Sequence, residues 1–267
     1  MQSVKGLLAN LDIKRAESGD VAPDAEDEEV CSHCGGWHFV RVRKPMLEEL
    51  TAGLRADPTV IPCPFCFEKW ETEYRIETRK WRISASNLPN GCAQTHRFST
   101  WKSRKNLETA FRFAQQFAAL KAPHPFLTLS GPPGVGKTHL AYAIAWEWLE
   151  NDRGTVRYWQ VPHLLDQLRR GYNREEGRAS DDIYSLLDAA SGCSLLLLDD
   201  LGMQKPSEWA TEKLDEIIDL RYAYPRHTVV TTNKDPEEHP ERIASRLSEG
   251  MCIDMEGPDW RRRRGSC

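Results

Sequence analysis

No apolar run in the 267-residue sequence approaches the roughly 18 residues that a membrane-spanning helix needs. The N-terminus, MQSVKGLLANLDIKRAE, also has no apolar stretch followed by a small-residue cleavage site, so it does not read as a secretion signal. These two absences make the cytoplasm the expected compartment, with no membrane partner, and thiols there stay reduced. A dominant charge is missing as well: the formal net charge is −4. The chain is therefore not globally basic, and any nucleic-acid contact has to come from a local patch. No internal repeat is visible.

What is present is ordinary for a globular protein, with 40% hydrophobic and 28% charged residues. The length suffices for one α/β core and a smaller module. Residues 1–17 carry Val4, Leu7, Leu8 and Leu11 at helical spacing and predict a short amphipathic helix. The acidic stretch 18–30 predicts a linker. Glu68 to Ser86 predicts a helix with Trp70, Tyr74 and Trp81 on one side, broken by LPNG at Leu88–Gly91.

From about Phe98 the pattern alternates. Strands are predicted at Phe126–Ser130, Thr155–Val161, Ser194–Asp199, Thr228–Thr232 and Met251–Met255. Helices are predicted at Lys137–Glu150, Pro162–Arg170, Asp181–Ala190, Ser207–Tyr222 and Glu241–Ser248, with Ser207 as an N-cap. Such alternation predicts an α/β fold with a parallel sheet covered on both faces, and the leucine run before Asp199 predicts a strand buried on both sides. The expected domains are 1–30, a cysteine-bearing module at 31–90, and the α/β domain at 98–267.

GPPGVGKT, from Gly131 to Thr138, fits the G-x-x-x-x-G-K-[ST] loop between a strand and a helix. Gly131, Gly134 and Gly136 let the backbone approach a phosphate closely, and Pro132, Pro133 and Val135 complete the loop. The amides through His139 and the helix N-terminus then face the anion. Lys137 suits the β- and γ-phosphates of ATP, and Thr138 suits Mg²⁺. LLLLDDLG at Leu195–Gly202 supplies the matching acids: Asp199 for the Mg²⁺ shell and Asp200 to orient or deprotonate the attacking water. Asn233, ending VVTTN, can position that water. Arg246 in ERIASRLSEG suits developing phosphoryl charge, with Arg242 as its competitor.

Cys31-x2-Cys34 and Cys63-x2-Cys66 have the knuckle spacing of a four-thiolate Zn²⁺ site. The 28 residues between the pairs exceed the usual ~15–20 and leave room for a strand (Trp37–Arg43) and a helix (Pro45–Leu54). His33 and His38 are the substitute ligands. A disulfide or redox reading competes, against a reducing compartment and the absence of a thioredoxin-like βαβ context. Cys193 and Cys252 are expected in the core. Cys92 and His96 have a ligand-like gap but read as linker.

GPPGVGKT, LLLLDDLG, EKLDEIIDLRYAYPRHTVVTTN and RIASRL together resemble the AAA+ ATPases of the DnaC/DnaI helicase-loader and IstB group, over Phe98 to about Arg262. The resemblance implies an AAA+ sheet of order 5-1-4-3-2. It implies no full lid domain, since only 21 residues follow Arg246. It maps the sensor 1 region to Asn233, the arginine finger to Arg246 and a weak nucleotide or subunit contact to Arg261. A cysteine module ahead of such a core resembles the DnaI-type arrangement, in which the N-terminal module engages the replicative DnaB-type helicase. The implied activity is ATP-dependent helicase loading onto single-stranded DNA, with ATP-dependent self-association. Arg169, Arg170, Arg174 and Arg178 are the candidate DNA contacts. An IstB-like transposition helper and an ATP-gated adaptor with negligible turnover are the alternatives.

Overall fold

A computed structural model describes residues 31–32, 34–41, 60–63, 65–102, 104–172, 181–204 and 207–260. The predicted elements at 1–17, 18–30 and Pro45–Leu54, with His33, Arg174, Arg178 and Arg261, lie outside the described residues. The chain divides into two compact units, Met1–Thr78 and Arg79–Cys267.

In the first unit, β1 (Phe39–Arg41) pairs antiparallel with β2 (Val60–Pro62), Phe39 opposite Pro62. The turn after Cys34 needs Gly35 at φ +62°, a backbone conformation that suits glycine, and the Gly35 N–H donates to the Cys31 carbonyl at 2.8 Å. The Cys63 N–H donates to the His38 carbonyl at 2.8 Å, which ties the second cysteine pair to the first. Helix α1 (Phe67–Ala85) begins here, its Phe67 N–H on the Cys63 carbonyl. Trp70 stacks on His38 on one side and on Tyr74, one turn further along α1, on the other.

The second unit holds a five-stranded, wholly parallel sheet of β3 (Phe126–Ser130), β4 (Val156–Gln160), β5 (Leu195–Leu201), β6 (His227–Thr232) and β7 (Met251–Asp254). Its spatial order is β4-β5-β6-β3-β7. Counted from the β7 edge, the five run fifth, first, fourth, third, second, the order the resemblance implies. Pleating sends alternate residues to opposite faces. Leu195 and Leu197 join one apolar layer, and Leu196 and Leu198 the other. This is the two-sided burial that the leucine run predicts.

Helices α2 (Cys92–Thr95), α3 (Glu108–Ala118) and α4 (Lys137–Glu150) belong to the first layer. Helices α5 (Val161–Tyr172), α6 (Asp181–Gly192), α7 (Glu208–Ala223) and α8 (Glu241–Glu249) belong to the second. Helix α4 is buried nearly all round because α3 covers the side turned away from the sheet. Ser207 caps α7 by accepting from the Ala210 N–H at 3.2 Å.

Three expectations change. Helix α3 was not anticipated, although Ala110, Ala114, Phe117 and Ala118 form its buried stripe. Cys92 is not linker: it is 3% exposed, opens α2 and accepts from the Trp146 indole N–H at 3.3 Å. Cys252 is not core. It sits on the edge strand β7, where Ile253 turns inward and its neighbours outward. Cys193 is buried as expected.

Candidate nucleotide site and four-cysteine cluster

The loop Gly131–Thr138 leaves the end of β3 and enters α4. Gly136 is the N-cap of α4 at φ +115°, and a side chain there would meet the Trp101 ring at 2.9 Å. No side chain caps this helix, so the amides of its first turn face outward toward the loop, where an anion can take them. Gly131, at φ +131°, lies so close to the Met255 carbonyl that a Cβ would collide with it. The loop is also held from outside. Arg104 donates to the Val135 carbonyl at 3.1 Å, the Trp260 N–H donates to the Gly134 carbonyl at 3.2 Å, and the Arg104 guanidinium lies 3.7 Å above the Trp260 ring.

Lys137 is only 6% exposed. Its ammonium donates to the carbonyls of Gly131 (2.7 Å) and Pro132 (2.9 Å) and to Asn233 Oδ1 (2.8 Å). The lysine of the loop and the asparagine at the end of β6 thus meet. Thr138 Oγ1 donates to Asp199 Oδ1 at 3.0 Å, so the hydroxyl and carboxylate expected at Mg²⁺ also meet. Asp199, 2% exposed, accepts two further hydroxyls: Thr231 at 2.5 Å on Oδ1 and Tyr158 at 3.1 Å on Oδ2. Burial, with the Asp199 charge beside it, pushes the Tyr158 phenol up, so it remains a donor.

The β5–β6 register shifts between Leu198 and Leu201. Asp200 occupies this bulge at φ +60°, a region aspartate tolerates, and its N–H donates to Thr231 Oγ1 at 3.0 Å. Thr231 therefore touches both consecutive acids. The His139 ring packs beside His96 and Trp101 and pairs with the Arg97 carbonyl at 3.0 Å, and burial lowers its pKa.

Arg246 belongs to a different cluster, on α8. It donates to Asp219 Oδ1 at 3.3 Å and Glu249 Oε1 at 3.4 Å, and its guanidinium lies 4.1 Å above the Tyr222 ring. Arg242 pairs with the other oxygen of Asp219 at 2.6 Å. Both candidate fingers therefore share one carboxylate. Of the candidate DNA contacts, Arg169 and Arg170 are exposed on α5, with Arg169 5.0 Å above the Trp209 ring. Tyr158, Thr231 and Asp219 were not singled out in the sequence. Thr231 alone had a nearby signal, since it precedes Asn233 in VVTTN.

In the first unit the sulfurs of Cys31, Cys34, Cys63 and Cys66 lie within 4.8 Å of one another. A tetrahedral ion at ~2.3 Å from each sulfur sets S···S near ~3.8 Å, so the cluster fits Zn²⁺. Cys34 and Cys63 are buried, and Cys34 Sγ is 3.4 Å from Cys66 Sγ. Burial pushes the Cys63 and Cys66 thiols up, and a bound cation would offset the cost of ionising them. His38 Nδ1 is 3.5 Å from Cys66 Sγ, beside the cluster.

No helix among the described residues is long and apolar enough to cross a membrane. The DnaC replicative helicase loader of Escherichia coli K12 is 29% identical over 145 residues, 54% of this chain and 56% of that protein. The chain thus spans about half the length of the curated relatives it matches. A crystal structure of the DnaC helicase loader superposes with TM-score 0.53 at 24% identity, covering 62% of this chain and 99% of that one. A crystal structure of DnaI gives TM-score 0.53 at 24% identity, covering 67% and 98%. These two likenesses show a shared fold. Residues 107–244, just over half of the sequence, match the family described as IstB-like ATP binding protein. With the phosphate-type loop, Asp199 and Asn233 all inside that span, the chain belongs to the IstB-like ATP binding protein family.

Proposed function

We propose that the chain is an ATP-hydrolysing loader of a hexameric replicative helicase. The observation that carries the ATPase reading is the pairing of Lys137 with Asn233 and of Thr138 with Asp199 across one loop. In this reading the Gly131–His139 segment wraps the phosphates, with an N–H group from every residue except Pro132 and Pro133. Lys137 exchanges its two loop carbonyls for the β- and γ-phosphate oxygens. Thr138 and Asp199 hold Mg²⁺, which when bound offsets the negative charge of the transferring phosphoryl group. Asp200 orients or deprotonates the attacking water, and Asn233 fixes its position. Arg246 reaches a neighbouring copy's phosphate, which requires it to leave Asp219. Arg242, more exposed and on the same acid, is the alternative finger.

Helicase loading rests on the likeness to DnaC. In this proposal residues 31–90 are a zinc-binding helicase-contact module and 98–267 the ATPase domain, with 1–30 preceding them. Arg169 and Arg170 take single-stranded DNA phosphates, and the protein works in the cytoplasm. The test is a pull-down of the host's replicative helicase with and without ATP. Association that strengthens with ATP is expected, and its absence in both conditions would end the loader reading.

The second reading, a transposition helper, is favoured by the IstB-like family match. Binding to a transposase in place of the helicase would select it.

The four-cysteine cluster makes its own prediction. Metal analysis should return about one Zn²⁺ per chain. Chelation should unfold the 31–90 module while leaving ATP affinity within about twofold, since structural zinc sites supply much of a small module's folding energy. Protein purified without metal yet fully folded in that module would count against a zinc site.

A further inference from the structure

We infer that Tyr158 is a positioning residue for the metal ligand Asp199. Its phenol fixes the carboxylate plane so that the opposite oxygen stays aimed at the Thr138 side. The inference rests on the proposed role of Asp199 in holding Mg²⁺.

The two oxygens of Asp199 have different surroundings. Oδ1 accepts from Thr138 and Thr231, whereas Oδ2 accepts from Tyr158, its partner among the described residues. The three hydroxyls come from three elements: α4, β6 and β4. Thr138 is itself assigned to the metal, so its hydroxyl cannot hold Asp199 once it turns to an ion. Thr231 and Tyr158 then carry the orientation, and Thr231 is already shared with the Asp200 N–H. Tyr158, whose phenol also interacts with the Tyr142 side chain, is the one of the three with no proposed part at the metal and no tie to the second acid.

Its position follows from sheet geometry. Tyr158 lies opposite Leu197 in the parallel β4–β5 pair, and Asp199 is two residues beyond Leu197 on the same face. The phenol therefore reaches along the sheet surface toward the strand end. Its ring is wedged in the apolar layer, 7% exposed, with the Tyr142 ring 5.0 Å away edge-on. Tyr142 stands one helical turn beyond Thr138 on α4. The helix that presents the Thr138 hydroxyl thus also braces the ring that holds the acid. Groups that orient metal ligands from behind commonly alter metal affinity by 10–100-fold when removed.

The test is Tyr158→Phe, which keeps the ring in its slot and removes only the donor. Mn²⁺ binding to the complex with a non-hydrolysable ATP analogue is read by electron paramagnetic resonance. Nucleotide affinity is measured separately in EDTA. For Y158F the Mn²⁺ half-saturation should rise about tenfold, while affinity in EDTA stays within twofold, and excess Mg²⁺ should restore turnover. A purely structural role would instead weaken nucleotide binding in EDTA by the same factor, and that result overturns the inference. Asp199→Asn separates the two layers of the argument. If Asp199→Asn loses Mn²⁺ and Y158F binds it like wild type, Tyr158 is not a positioning residue and the Asp199 assignment stands. If Asp199→Asn also binds Mn²⁺ like wild type, the metal reading of Asp199 itself is lost, and the inference with it.

Discussion

Lys137→Ala is expected to lower ATP turnover by about 10²–10³-fold, the range found when one preorganised charge-stabilising group is deleted. The ammonium is nearly buried, where a charge interacts far more strongly than in water. It is already stationed by the Gly131 and Pro132 carbonyls and by Asn233, at 2.7–2.9 Å. Little reorganisation is needed for it to reach a phosphate, and alanine supplies neither the charge nor the reach. Arginine would not rescue it, because a planar guanidinium cannot occupy the slot of a compact ammonium. Phosphate release at saturating Mg²⁺–ATP, with partner and DNA present, is the measurement. Turnover within tenfold of wild type would remove Lys137 from the mechanism.

The largest stability effect is expected away from the nucleotide site. Arg221 is fully buried on α7. Its guanidinium donates to the carbonyls of Ala190 (3.0 Å), Ser191 (3.1 Å), Cys193 (2.9 Å) and His227 (2.5 Å), and to Thr228 Oγ1 (2.8 Å). Two of these carbonyls belong to the last turn of α6, where the helix dipole also favours a cation. The arginine thereby joins the end of α6, the entry to β5 and the start of β6. Burial lowers its pKa, but the value for a guanidinium starts so high that it stays charged. Arg221→Met keeps much of the volume and strands several buried acceptors. The expected loss is about 3–5 kcal/mol, or roughly 10 °C in melting temperature for a unit of this size. Arg221→Lys should recover only part, since one ammonium cannot span five acceptors. Calorimetry on the two variants decides it, and a loss below about 1 kcal/mol would show that water replaces the guanidinium freely.

These two residues also mark what the sequence made legible. Lys137 was readable because its loop is a local signal: glycines, lysine and threonine fall within eight residues, between a strand and a helix. The β/α alternation and the two-sided burial of Leu195–Leu198 were readable for the same reason, as patterns with short periods. Arg221 was not, because α7 is charged throughout and its acceptors lie up to 31 residues away. Tyr158 was hidden similarly: in VRYWQ it is one apolar-faced strand residue, and its partner is 41 positions distant. Helix α3 went unread because small alanines make most of its buried stripe. Cys252 was misjudged because strand membership does not reveal that β7 is an edge. The four cysteines stood out by their short, repeated spacing, and their sulfurs lie within 4.8 Å of one another.

The bulge at the end of β5 has a consequence for which face of the sheet two neighbouring acids occupy. A regular pleat sorts residues by parity. Leu195, Leu197 and Asp199 go to one side, and Leu196, Leu198 and Asp200 to the other. An unbroken strand would send the second carboxyl into the oily layer beneath, among Leu214 and Ile217. The left-handed step at Asp200 cancels that alternation at a cost of about 1 kcal/mol, and its side chain ends half-buried. A one-residue deletion at this corner would restore the alternation and leave a single acid on the Asp199 face, however well the rest of the sheet survived.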